Sequence, residues 1–243
     1  MSAAAIIAAG VTCGSLALSA TAAPLAPAAN PFARLTADQI AKKAVADLEK
    51  ASSFHFHGSG KESGQAFSIS VSVTHRGCTG WIGDGSIGGF AIRAIGKTAW
   101  IQPNNKFWQF AGVPASELSA VEGKWLPISE SASNSVSAGF LPFCTSNTLA
   151  STFAPQLTGL VKGKTVKISG HPALQLRNKS GRESIYVSIS SKPEILRISD
   201  DGTLNFSAYG AHVTITAPPA SDVIALPTPA LSVPSVQHLL QGV

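Results

Sequence analysis

The sequence predicts an α+β protein that is mainly antiparallel β, and three observations carry that prediction. Residues 66–76 alternate without a fault. Phe67, Ile69, Val71 and Val73 fall on one side of an extended strand, and Ser68, Ser70, Ser72 and Thr74 fall on the other, because successive strand side chains point to opposite faces. A strand that is oily on one face and wet on the other belongs to an antiparallel sheet. Short runs of this kind then recur about every ten residues between turn signals, the pattern of a meander. Finally, the chain offers very little helix to cover the oily face.

Composition narrows the class. The chain has 243 residues, 44% hydrophobic and 13% charged, and the charged share is about half of the usual roughly one quarter. Its net charge of +5 is modest, although six of the 18 Lys and Arg lie between Lys162 and Arg182. A solubilising surface is the plainer reading of that cluster, and contact with anionic lipid head groups the sharper one. Residues 1–22 read as a secretory signal peptide: uncharged, alanine-rich, and closed by Ala20-Thr21-Ala22 with small residues at the cleavage positions. No Lys or Arg precedes the apolar run. Export removes Cys13 and leaves Cys78 and Cys144, for which a single disulfide is the default expectation. Closing that loop stabilises the fold by about 3–4 kcal/mol. Acylation of Cys13 would make a lipoprotein, but Thr12 is a poor residue before such a cysteine, so the sequence favours secretion over anchoring.

The expected organisation is a signal peptide over 1–22, a linker over 23–35, one domain over 36–218 and a Pro-rich tail over 219–243 that is loosely held. In the domain, Thr36 and Gln39 form a capping box, and Ile40, Ala41, Ala44, Val45 and Leu48 make an apolar stripe at helical period, which predicts a helix over 37–51. Strands are expected around Phe54 and Phe56, then over 67–75, 79–82, 90–95, 98–102 and 107–110, with 103–106 as a hairpin turn. A helical turn is expected over 115–121 and a short helix over 145–153. Further strands follow over 165–169, 173–177, 184–190, 194–199, 203–209 and 212–216, with Asp200-Asp201-Gly202 as a tight connection. About ten strands at ~4.8 Å make an oily face some 45 Å wide. Two helices of ~10 Å diameter cover less than half of it. The sheet must therefore form a sandwich, a barrel or a half-barrel with helices over its mouth, and the last two can enclose an apolar cavity.

Several near-motifs carry no chemistry. Gly83-Asp84-Gly85-Ser86-Ile87-Gly88 fits the dinucleotide glycine pattern, but a strand follows it where a helix is needed; it reads as a glycine-rich hairpin. Residues 159–165 fall one residue short of a phosphate loop. His55 and His57 share a strand face without a third ligand. No nucleophile elbow, catalytic acid pair or basic-aromatic stripe for nucleic acid is present in the sequence. These readings favour a protein without catalysis, metal or cofactor.

The order of residues resembles a family. Ser53-Phe54-His55 follows the first helix. Gly77-Cys78-Thr79-Gly80, Thr98-Ala99-Trp100-Ile101, Phe107-Trp108 and Gly123-Lys124-Trp125-Leu126 come next, and Cys144 stands before the second helix. Gly170-His171-Pro172-Ala173, Tyr186-Val187, residues 193–198 and Phe206-Ser207-Ala208-Tyr209 complete the series. This resembles the actinobacterial exported proteins and lipoproteins related to the mycobacterial glycolipid-carrying lipoproteins and, more distantly, the LolA-type lipoprotein carriers, over about residues 36–218. The resemblance implies a half-barrel with helices across the concave side and a cavity for acyl chains. The expected walls are Phe54, Phe56, Phe67, Ile69, Val71, Val73, Phe90, Ile92, Trp100 and Trp108, with the first helix as lid. The expected function is a secreted, monomeric lipid carrier of the cell envelope whose partners are a lipid or lipidated molecule and, transiently, a membrane surface. The alternative is a structural or protein-interaction β-module with a filled core.

Overall fold

In the computed structural model, residues 30–62, 64–129, 144–154 and 157–224 are described. The expected signal peptide, Cys13 and the end of the tail lie outside them. Eleven strands run as β1 (Ser53–Glu62), β2 (Gln65–Thr74), β3 (Gly77–Asp84), β4 (Gly88–Ile95), β5 (Thr98–Pro103), β6 (Leu126–Ser129), β7 (Val161–Ile168), β8 (His171–Arg177), β9 (Ser184–Ser188), β10 (Ile195–Ser199) and β11 (Gly202–Ser207). Four α-helices accompany them among the described residues: α1 (Ala37–Lys50), α2 (Asn105–Phe110), α3 (Leu118–Val121) and α4 (Ser146–Phe153). All strands join one antiparallel sheet in the order β6-β5-β4-β3-β2-β1-β11-β10-β9-β8-β7. Two meanders, β1–β6 and β7–β11, thus meet where β1 pairs with β11, from His55–Ser207 to Gly60–Gly202.

Register sorts the apolar side chains into rows across the concave face. One row runs Phe54, Val73, Cys78, Ala94, Ala99, Ile128. The next runs Phe206, Phe56, Val71, Gly80, Ile92, Ile101, Leu126. Apart from Gly80, each of these is buried. At Gly80 an added Cβ would lie 2.6 Å from the Val71 Cα, so a residue with no side chain is what lets β2 and β3 approach here. Helix α1 buries Ile40, Ala41, Ala44 and Leu48 and packs on α4 and on β7, β9 and β10. Its capping box forms as the sequence predicts.

The start of α4 is tied to the sheet three ways. Cys78 of β3 is disulfide-bonded to Cys144. Thr145 bridges Thr74 in parallel, and the Ser146 hydroxyl pairs with His75 Nδ1 at 3.1 Å.

Three expectations are corrected. Residues 107–110 are not a strand: the Asn104 carboxamide accepts from Phe107 N at 2.9 Å and caps α2, so that Phe107 and Trp108 are both buried although adjacent in sequence. Residues 212–216 do not join the sheet. They lead from Ser53, whose carbonyl accepts from Gly210 N at 2.9 Å, towards Trp125, which bridges Val223. The chain is therefore held beyond residue 218, as far as 224. Strand β6 was not foreseen, because Pro127 interrupts its alternation; at an edge a proline withholds no needed donor. The clustered lysines also find a place, since Lys162, Lys164 and Lys167 lie on β7 at the other edge, where charge discourages pairing with a second chain.

The disulfide closes a loop of 66 residues. Replacing both cysteines by serine is expected to lower stability by about 3–4 kcal/mol, read from the urea midpoint and slope together, since the unlinked unfolded chain exposes more surface.

Candidate functional site

The third row of the concave face differs from the first two. It runs Leu176, Ile185, Ile198, Leu204, Gly58, Ile69, Ile82, Phe90, Pro103. At its two ends Leu176, Ile185 and Phe90 are buried, Phe90 beneath Phe107 of α2 with ring centroids 5.9 Å apart. In the middle, Ile198, Leu204, Ile69 and Ile82 are only half-buried. Phe67, one row further along β2, is half-buried too. These five form a continuous aliphatic and aromatic strip at the end of the sheet away from the disulfide. Gly60 and Gly202 face each other beside it: a Cβ on Gly60 would lie 2.8 Å from the Gly202 Cα and from the Phe67 ring.

Seven of the ten expected wall residues, Phe54, Phe56, Val71, Val73, Phe90, Ile92 and Trp108, are 5% exposed or less and stand in the packed core. Phe67 and Ile69 belong to the strip. Trp100 is corrected outright. It pairs with Arg93 and Pro127 and so faces the opposite side from its neighbour Ile101; it shares no wall with Ile92. Sequence reasoning missed Ile198 and Leu204, although each alternates with polar neighbours in its strand, and Ile82, which Trp81 and Gly83 flank. Among the described residues, one cleft of about 550 Å³ borders the strip, lined by Gly60, Lys61, Phe67, Asp201 and Thr203 among others. A second, of about 380 Å³, lies at the other end between Thr74, His75, Ile95, Val213 and Ile215. The indole N–H of Trp108 is buried and has no hydrogen-bond partner among the described residues.

Polar groups sit on the outer face. His55 and His57 stack with centroids 5.7 Å apart, and His55 Nδ1 pairs with the Ser72 hydroxyl at 3.1 Å. Partial burial, and then the charge of His57, lower the pKa of His55. No group of three or more metal-ligating residues occurs among the described residues. The glycine-rich pattern is a hairpin turn, as expected. The Asp84 carboxylate accepts from Ser86 N at 2.7 Å, from the Ser86 hydroxyl and from Ile87 N at 3.2 Å. Partial burial raises its pKa, but these hydrogen bonds outweigh that and hold it below the ordinary carboxylate value. A carboxylate closed into its own turn leaves no cradle for a phosphate.

A crystal structure of LprF from Mycobacterium bovis superposes on this chain with a TM-score of 0.51 at 13% identity, covering 75% of this chain and 96% of that one. The fold is the curved half-barrel of LprF. An uncharacterized conserved protein from Thermus thermophilus aligns at 13% identity with a TM-score of 0.36, over 77% of this chain and 98% of that one. No family model and no curated protein matches the chain. No helix among the described residues is long and apolar enough to cross a membrane.

The lowered pKa of His55 has a direct consequence. On acidification the unfolded chain takes up the proton first, so stability falls as the pH drops from about 6.5 towards the folded pKa of His55. An NMR titration is expected to place the His55 midpoint below that ordinary value. His57→Ala should raise it only part of the way, because burial is the larger cause.

Proposed function

We propose that this chain is an extracytoplasmic lipid-binding or lipid-carrier protein, without catalytic activity, whose acyl site is the half-buried strip of Phe67, Ile69, Ile82, Ile198 and Leu204. The observation that carries the reading is that strip: side chains on the concave face, aligned by register across five adjacent strands, with Gly58 at the β1 position, and uncharged throughout. Each methylene laid on such a surface contributes up to about 0.8 kcal/mol, so chain length is discriminated better than head group. The family resemblance supports the same reading, as does the disulfide, which suits an oxidising compartment. The unpaired indole N–H of Trp108 is a donor that an ester or amide carbonyl could satisfy in an otherwise apolar interior. The dense packing of the first two rows favours a second reading, a β-module with a filled core.

Native mass spectrometry of protein purified from its own host separates the two: the carrier retains lipid, whereas the filled module gives a bare mass and binds no fluorescent fatty acid. Ile82→Asp is expected to weaken fatty-acid binding about tenfold, ~1.4 kcal/mol, with the fold retained. Phe56→Ala, in the closed second row, is expected instead to cost about 3–5 kcal/mol of stability.

A further inference from the structure

The outer face of the same sheet carries a second surface, independent of the acyl strip. Its rows, again fixed by register, run Ser199, Thr203, Ser59, Ser68, Gly83, Gly89 in one line and Arg197, Asn205, His57, Ser70, Trp81, Ala91 in the next. The line after that holds Ser207, His55, Ser72, Thr79 and Arg93. Between the two arginines this face presents hydroxyl, carboxamide and imidazole groups and no formal charge. Both arginines are engaged. Arg197 donates to the Asn205 side chain at 2.8 Å, and Arg93 stacks 4.5 Å over Trp125 and reaches the Thr216 carbonyl.

Two large apolar side chains stand open on this face: Ile95 at the end of β4, and Trp81 amid the polar rows. Trp81 is 38% exposed, and the chain is built around its ring. A Cβ on Gly83 would lie 2.9 Å from the indole Nε1, and one on Gly89 would lie 2.6 Å from Cζ2. The indole occupies the space that side chains at these positions would need, which holds it in one orientation. Two glycines of the 83–89 stretch thus seat a ring, a role the dinucleotide reading of that stretch could not supply. Water-facing strands are ordinarily kept soluble with charged residues; here hydroxyls do it beside an anchored, open aromatic.

We propose that this face binds a neutral glycan, with Trp81 stacking on a pyranose ring and the Ser, His and Asn side chains taking its hydroxyls. The negative π-face of an indole attracts the slightly positive C–H face of a sugar, and a ring already held in place loses little freedom on binding. Uncharged groups that both donate and accept match a ligand made of hydroxyls. From Trp81 to Asn205 the face spans three strand spacings, about 14 Å, which is room for a short oligosaccharide. Single-stranded nucleic acid also stacks on aromatics, but it requires a basic groove that this surface lacks.

The test is a titration of the ¹⁵N-labelled chain with neutral gluco- and manno-tetrasaccharides, followed at the Trp81 indole N–H. Saturable shifts at Trp81 and at the amides of Ser70 and His57 are expected. Trp81→Ala should weaken binding at least tenfold, and so should Gly83→Val, which displaces the ring and leaves the indole in the chain. Thermal melts check that both variants remain folded, and unchanged fatty-acid binding keeps this surface separate from the acyl strip. Absence of shifts with every tetrasaccharide at 20-fold or greater excess overturns the proposal, as do shifts that survive in both variants.

Discussion

Aromatic packing over the junction of β1 with β11 holds the two meanders as one sheet. Phe54 and Phe56 of β1 stack against Phe206 of β11 at 6.1 and 5.9 Å, and Phe54 meets Tyr209 at 5.9 Å. Phe153 of α4 closes on Phe206 edge-on at 6.2 Å. Each such pair adds about 0.5–1.5 kcal/mol beyond its burial. The Tyr209 hydroxyl donates to the Ile195 carbonyl at 2.7 Å, and burial, reinforced by the nearby Glu194, raises its pKa far above the usual value. The cluster therefore ties β1, β10, β11 and α4 together at one point. Without it the two halves would be joined by the β1–β11 ladder alone.

Most of this architecture was legible because strand alternation is a local signal. Phe67 to Thr74 declared both the existence of a strand and which face was buried, and the capping box at Thr36 declared α1. Only part of what failed was tertiary in origin. Phe107 and Trp108 read as strand residues, because aromatics favour strands, until the Asn104 cap and the surface of β4 made them helical. Trp100 was assigned to the cavity because it is large and apolar. Yet its parity with Ile101, already visible in the sequence, puts it on the other face.

The candidate site was less legible than the fold, for a physical reason. Alternation tells which side chains face inward but not how far the helices extend over them. Phe56 and Ile69 lie on the same face of paired strands and carry the same sequence signal. One is 1% exposed and the other half-buried. Among the described residues, the placement of α1, α2 and α4 distinguishes them.

That placement follows from dimensions. Same-face residues on a strand are two positions apart, about 6.7 Å, whereas a helix with its side chains is about 10 Å across. A single layer of helices lying across the strands therefore covers between one and two rows. With α4 fastened at the Cys78 end, the rows of Phe54 and Phe56 are the ones closed. The row of Ile69 is closed only at its ends, where α2 brings Phe107 over Phe90 and where Leu176 and Ile185 are buried beside α1. A strand of ten residues such as β2 has more same-face positions than one helix layer can hide, so an apolar margin at the far end is a geometric consequence of the fold. Charged side chains on that margin would have kept it wet; the chain places Ile198, Leu204, Ile69 and Ile82 there instead.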